Sequence, residues 1–259
     1  MSKCIVITGG SSGIGRALAF FYAAQGATLG LVGRNEERLQ EVALCCRNKG
    51  ATVSVGLIDV RRREELEAWL FKFDEQTPVD LVIANAGVMG GAQEGEDIEG
   101  DQISRLILET NLLGVLNTIQ PLLPRMIARR SGQIALMSSI AGFIPLPDAP
   151  SYGASKAAVL RYGLALRTAL RGSGVKLSII CPGFVTTAMT AQENGWKPFE
   201  MSAERAAVII ADGLDRNRAV IAFPRFLAFA TWIGGLLPER VRNVTERAFR
   251  FKVGHADEI

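Results

Sequence analysis

One histidine, His255, is all that the 259 residues hold, and it stands close to the C-terminal end. That scarcity excludes much of the commonest active-site chemistry. A Ser-His-Asp hydrolase would have to use this tail imidazole as its base, and a zinc enzyme would have a single imidazole to offer. Cysteine is scarce too: Cys4, Cys45, Cys46 and Cys181 are spaced neither as a metal site nor as a CxxC redox pair. Adjacent positions on a helix point apart, so Cys45 and Cys46 read as reduced thiols, the pattern of a cytoplasmic protein. The net charge of +3 and the short cluster Arg61-Arg62-Arg63 give no footprint for nucleic acid. No apolar stretch reads as long enough to span a bilayer, and the run from Cys4 to Ile7 meets glycines too soon for a signal peptide. Repeats and low-complexity linkers are missing as well. What remains, 48% hydrophobic and 21% charged, is enough to bury one large core.

Short β-branched runs alternate with longer helical patterns. Strands are expected at 4–8, 28–32, 52–57, 79–84, 133–137, 176–181 and 219–222. Helices are expected at 14–25, 36–48, 64–74, 151–170 and 203–214, with a long helical stretch over 101–129 that Pro121 and Pro124 should bend or break. Uninterrupted apolar strands separated by helices predict a seven-stranded parallel sheet covered on both faces, an α/β doubly wound fold. Its ligand belongs beyond the carboxyl ends of the strands. One domain is expected, a core over 1–222 with an apolar and basic helical extension over 223–259.

The first strand runs into Thr8-Gly9-Gly10-Ser11-Ser12-Gly13-Ile14-Gly15, and a helix follows. Glycines let the backbone turn tightly and approach a pyrophosphate, and the helix N-terminus supplies unpaired N–H groups. The spacing is G-x-x-x-G-x-G rather than G-x-G-x-x-G. The second strand ends Leu31-Val32-Gly33-Arg34-Asn35: Gly33 stands where a carboxylate would favour NAD, and Arg34 follows it. A planar guanidinium suits the 2′-phosphate, so NADP(H) is expected rather than NAD, with a solvated surface arginine as the alternative reading of Arg34. Asp59, with Val60 after it, ends the third strand region. It suits the adenine amino group or, equally, a helix cap. Asn85-Ala86-Gly87 follows the fourth strand, either as small residues beneath a cofactor or as a plain turn.

Tyr152 and Lys156 stand four apart at the start of a predicted helix, on one face. An ammonium near a phenol favours the phenolate, so such a tyrosine can pass a proton to or from an alcohol near neutral pH. Ser139 follows the fifth strand and has a hydroxyl suited to holding the substrate oxygen. Ser138 competes for that role, one of the two bonding backbone instead. Asn111 lies in a helical pattern where asparagine is a poor interior choice unless it binds something, such as a water relaying protons to Lys156.

Taken together, Thr8-Gly9-x-x-x-Gly13-x-Gly15, Asp59, Asn85-Ala86-Gly87, Asn111, Ser139, Tyr152-x-x-x-Lys156 and Pro182-Gly183-x-x-x-Thr187 resemble the short-chain dehydrogenase/reductase family, over about residues 3 to 222. The resemblance implies a Rossmann-like fold and hydride exchange between NADP(H) and a carbonyl or alcohol carbon. It implies Tyr152 as acid/base, Ser139 as the group that polarises the carbonyl, Lys156 on the nicotinamide ribose, and Asn111 supporting a water relay. Gly9, Ser11, Ser12, Gly13, Ile14, Gly15, Arg34, Asp59, Val60, Asn85, Ala86, Gly87, Pro182, Gly183, Val185 and Thr187 are the remaining cofactor candidates.

Substrate identity rests on three stretches that the family uses for its pocket: 141–150, 184–200 and the C-terminal end. Phe143, Leu146, Phe184, Met189 and Trp196 make the first two apolar, with Lys197 the only cation suited to clamping an anion. An apolar ketone, aldehyde or alcohol fits; a 3-oxoacyl reductase is the alternative enzyme. The tail from Phe226 to Pro238 is apolar, and Arg240, Arg242, Arg247, Arg250 and Lys252 follow. It suits a lid or dimer contact, a peripheral membrane contact through residues 225–252, or core packing. A membrane-surface protein with little turnover remains a competing class. The resemblance adds one expectation: members of the family often form tetramers by pairing their last strands around a short C-terminus, and a tail of this length would block that contact and favour a homodimer.

Overall fold

The computed structural model describes residues 2–92, 98–187, 190, 193–194, 197–238 and 252–253. Seven strands form one parallel sheet: β1 (Cys4–Thr8), β2 (Thr28–Gly33), β3 (Thr52–Leu57), β4 (Leu81–Ala84), β5 (Gly132–Met137), β6 (Val175–Pro182) and β7 (Val220–Phe223). Their order is β3-β2-β1-β4-β5-β6-β7. Ile5 of β1 lies beside Leu29 of β2 on one edge and Leu81 of β4 on the other. The chain therefore reverses direction across the sheet at β1, and a crevice opens above the carboxyl ends of β1 and β4.

Successive side chains of a strand face opposite sides, so each strand feeds two cores. Ile5, Ile7, Leu29, Leu31 and Ile83 pack beneath α1 (Gly13–Ala23), α2 (Glu36–Asn48) and α8 (Ala203–Asp215). Val6, Val32, Val82, Ala84 and Leu136 face α3 (Arg63–Gln76), α5 (Gly114–Ile119) and α7 (Pro150–Ala169). Both faces being dry explains why the strands read as unbroken apolar runs.

The stretch expected as one bent helix is α4 (Asp101–Leu108), a π-helical turn Glu109–Leu113, then α5 and, past a break at Pro121, α6 (Leu123–Ala128). Pro124 sits in the first turn of α6, where its missing N–H costs nothing. Contrary to the sequence expectation, Asp101–Ala128 is long and apolar enough to cross a membrane by length and composition. Here it is a core element: half of its apolar window is buried, against α7 and β4. The extension beyond β7 begins with α9 (Arg225–Leu236), and Lys252–Val253 pairs antiparallel with Glu193–Asn194.

Candidate active site

Chain geometry at the crevice begins with the turn after β1. Gly9 takes φ +66° and Gly13 φ +51°, values that side chains rarely adopt. A Cβ at Gly15 would stand 2.1 Å from the Gly9 carbonyl oxygen, so only glycine lets α1 start this close to the turn. The start of α1 is also left open. Its N-cap residue Ser12 makes no side-chain cap bond and its first turn holds no carboxylate, whereas Asn35 caps α2 by accepting from the Arg38 N–H at 2.8 Å. Uncapped N–H groups at a glycine turn are what a diphosphate requires.

Thr8 holds the neighbouring turn. Its hydroxyl oxygen accepts from the N–H groups of Asn85 (3.1 Å) and Ala86 (3.2 Å), and Asn85 Nδ2 donates back to the Thr8 carbonyl at 2.9 Å. These bonds lock the end of β4 to the end of β1. Gly9, Ser12, Gly13, Ile14, Asn85, Ala86 and Gly87 then share one cavity with Ser139, Tyr152, Lys156, Pro182, Gly183, Val185 and Thr187. Thr187 closes over the glycine turn, since a Cβ at Gly13 would meet its Cγ2 at 3.1 Å.

Within this cavity the two serines separate. Ser138 donates to the Lys156 carbonyl oxygen at 2.7 Å and braces α7 against β5. The Ser139 hydroxyl accepts from the Ala141 N–H at 3.1 Å and donates to the Pro182 carbonyl oxygen at 3.3 Å, a weaker bond that a better acceptor can replace. Lys156 is 4% exposed. Its Nζ donates to the Met137 carbonyl oxygen at 3.2 Å and stands 5.5 Å from the centre of the Tyr152 ring. Burial pushes this lysine down to about 8, with the neighbouring Cys181 opposing the shift slightly.

Asn111 lies behind the cavity, fully buried on the π turn. Its Oδ1 accepts from the Val88 N–H at 2.8 Å, and its Nδ2 donates to the Val88 carbonyl oxygen at 2.9 Å and the Ser155 hydroxyl at 3.2 Å. Asn111 thus joins the loop after β4 to the face of α7 that carries Ser155. Its Oδ1 would also lie 3.1 Å from a Cβ at Gly87, and Lys156 Nζ 3.4 Å from the same point.

At the ends of β2 and β3 a second hollow is lined by Arg34, Leu57, Ile58, Asp59, Arg61, Arg62, Glu65 and Glu109. Arg61 grips Asp59, with Nη2 on Oδ2 at 2.7 Å, while Arg34 Nη1 stands 3.8 Å from the same oxygen. Burial alone would raise the Asp59 carboxyl. The hydrogen bonds from Arg61 and the charges of Arg61 and Arg34 outweigh it and hold the group below the usual carboxylate range. Asp59 also accepts from the Arg61 N–H at 2.9 Å, which closes a local turn and is not the helix cap that was one expectation: the N-cap of α3 is Arg62, with no side-chain cap bond.

Ser11 sits against Gly33 at the edge of β2. Val60 faces the core below Gly114, and its carbonyl oxygen accepts from Asn117 Nδ2 at 2.9 Å. Phe143, Leu146 and Phe184 stand outside the cavity lining: Leu146 is buried against Gly153 of α7, and Phe143 belongs to the 3-10 turn Ile140–Phe143 beneath α9. Met189 and Trp196 lie outside the described residues. Lys197 bonds the Thr190 carbonyl oxygen, so this cation is engaged within its own loop.

Sequence reasoning missed three residues. Thr190 lines the cavity and bonds Val185 and Thr187. Ser155 is the partner of Asn111. Glu99 accepts from the N–H and the hydroxyl of Ser151, in the first turn of α7, although it lies 52 residues earlier, in the loop before α4. The signal for Glu99 was there in part: Ala149 and Pro150 give α7 no cap of its own.

A glycine turn under a helix start, a buried lysine beside a tyrosine and a serine across the same cavity are the parts of a nucleotide-dependent oxidoreductase. The family model for the short chain dehydrogenases matches residues 3–198. An uncharacterized oxidoreductase of Myxococcus xanthus is 35% identical over 249 residues, covering 96% of this chain and 98% of its own. The chain belongs to the short-chain dehydrogenase/reductase family. Among solved structures, a short-chain dehydrogenase from Sphingobium yanoikuyae in complex with NADPH superposes with a TM-score of 0.79 at 25% identity, covering 96% of both chains. A Mycobacterium paratuberculosis short chain dehydrogenase bound to NAD superposes with a TM-score of 0.74 at 23% identity, covering 85% of this chain and 94% of its own, and shares the fold.

Proposed function

We propose that this protein is an NADP(H)-dependent oxidoreductase that interconverts a carbonyl and an alcohol on an apolar substrate, with Tyr152 as the acid/base. The observation that carries the reading is the meeting of Ser139, Tyr152 and Lys156 in one cavity with the glycine turn. Gly9, Ser12, Gly13 and Ile14 suit a diphosphate, because the start of α1 is uncapped and close backbone approach needs glycine there. Arg34 is the residue for a 2′-phosphate: it is only loosely paired, and its guanidinium has room to turn toward a dianion. The NADPH complex of the Sphingobium protein agrees with this choice.

When bound, the nicotinamide supplies the hydride. In the reducing direction the Tyr152 hydroxyl donates its proton to the carbonyl oxygen, and the reverse step returns it. The Ser139 hydroxyl gives up its bond to Pro182 and donates to the same oxygen, which fixes the carbonyl and favours charge on it. The Lys156 ammonium, close to the ring of Tyr152, favours the phenolate left after transfer. Asn111 is a positioning residue that holds Val88 and Ser155 where the cavity needs them.

The test is turnover of a panel of apolar ketones and aldehydes with NADPH, for the wild type and Tyr152→Phe. The variant is expected to lose roughly 10²- to 10⁴-fold in kcat, the range for a general acid, while binding NADPH as before. Undiminished turnover by Tyr152→Phe would contradict the assignment.

A further inference from the structure

Helix α9 is apolar on both sides. Leu227, Ala228 and Thr231 face the protein, and Gly235 lets the helix lie directly on the carbonyl of Phe143, in the 3-10 turn that follows Ser139. The opposite side carries Phe226 (71% exposed), Phe229 (59%), Trp232 (51%), Ile233 (40%) and Leu236 (67%), a spacing that aligns all five along one stripe. Phe199 extends the patch by packing edge-on against Phe226, ring centres 6.1 Å apart. Exposed apolar residues this dense mark a docking surface rather than scattered surface leucines.

We propose that this stripe docks the protein on an anionic lipid surface. Charge selects this occupant. From Arg225 to the last residue the sequence carries six cations, Arg225, Arg240, Arg242, Arg247, Arg250 and Lys252, against four carboxylates, two of them Asp257 and Glu258 at the extreme end, while residues 1–224 are close to charge balance. Tryptophan, phenylalanine and leucine on a short helix followed by arginines are the composition of an interfacial anchor, whose cations add to binding on acidic headgroups. A second copy of the chain is the weaker occupant. Five side chains at these exposures offer ~500 Å², short of the about 800 Å² per partner of a stable interface. The helix is also too short to span a bilayer, so it lies in the surface rather than crossing it. Docking this way leaves α9 between the lipid and the turn after Ser139, and, resting on the proposed carbonyl chemistry, brings the cavity within reach of a substrate drawn from the membrane.

The experiment is co-sedimentation of the full chain with vesicles of phosphatidylcholine alone or with phosphatidylserine added, alongside an NADPH titration of the same samples. The wild type is expected to pellet with the phosphatidylserine vesicles, less with neutral ones, and less in high salt. Phe229→Ser/Trp232→Ser is expected to bind about tenfold more weakly, each aromatic being a large share of the inserted area. Leu44→Ser, which removes an exposed leucine from α2 instead, should bind as the wild type does. No pelleting by the wild type, or equal pelleting by the double variant, overturns the proposal. So does a wild-type oligomer in sedimentation velocity that the double variant dissolves, since the stripe would then join copies. The NADPH titration reports separately on the oxidoreductase reading, which can fail or stand without the lipid result.

Discussion

A buried ammonium is destabilising, and Lys156 has one carbonyl bond to offset its burial. Its ordinary value near 10.5 falls to about 8 in the folded chain. Between these two values the unfolded chain binds the extra proton, so stability rises with pH across that window and the full penalty is present below it. Lys156→Met is therefore expected to abolish turnover yet stabilise the protein by up to about 3 kcal/mol at pH 7. The gain should vanish above the ordinary lysine value, and thermal melts at pH 7 and at high pH measure it. Equal stability at pH 7 would mean that the ammonium is better satisfied than its surroundings suggest. The two adjacent serines are expected to divide the same way between structure and the proposed chemistry. Ser139→Ala should lower kcat with little change in Tm. Ser138→Ala loses the brace to α7 and should cost about 1 kcal/mol of stability. Steady-state kinetics and melts of the pair separate the two roles. Sequence could name Ser139 and Ser138 as rivals but could not rank them, because both line the cavity and only the fold shows which hydroxyl is held tightly by the Lys156 carbonyl and which makes only a long bond to Pro182.

Among the elements, α7 carries the proposed acid/base, Tyr152, on a start it does not cap. Glu99 supplies that cap from the loop before α4, with a carboxylate on the Ser151 N–H and hydroxyl one residue before Tyr152. Losing a cap of this kind costs about 1 kcal/mol. Glu99→Ala is expected to lose that much stability and to lower kcat several-fold by loosening the first turn of α7, whereas Glu99→Gln, which keeps an accepting oxygen, should be milder. Denaturant unfolding together with kcat and KM for both variants checks this. A loss of stability with kcat unchanged would make Glu99 structural only. The main strands and helices were legible to within a residue or two, because dry parallel strands leave uninterrupted apolar runs and α2 announces itself with Asn35 and two glutamates. The π turn at Asn111 was not. An asparagine amid helical residues signals a disturbance, but its form depends on Val88 and Ser155, which are distant in sequence.

The whole molecule is organised by the reversal of the chain at β1, which lays one long crest of candidate contacts across the carboxyl ends of the sheet. The tyrosine cavity occupies the ends of β1, β4, β5 and β6, and the Arg34 hollow the ends of β2 and β3. The glycine turn and the Tyr152–Lys156 pair were legible because spacing alone fixes their geometry. The pocket for the substrate was not, since Phe143 and Leu146 are spent on packing against α9 and α7 rather than on the cavity. A nicotinamide dinucleotide lying along that crest, with its 2′-phosphate at Arg34, is the central expectation. Titration of NADPH and NADH against the wild type and Arg34→Ala tests it most directly. Tighter binding of NADPH than NADH, with Arg34→Ala weakening NADPH by ~10-fold or more and leaving NADH unchanged, is the expected result, since a lost charge-assisted pair costs about 1.5–3 kcal/mol. Equal binding of the two nucleotides, or an Arg34→Ala variant that still prefers NADPH, would contradict it.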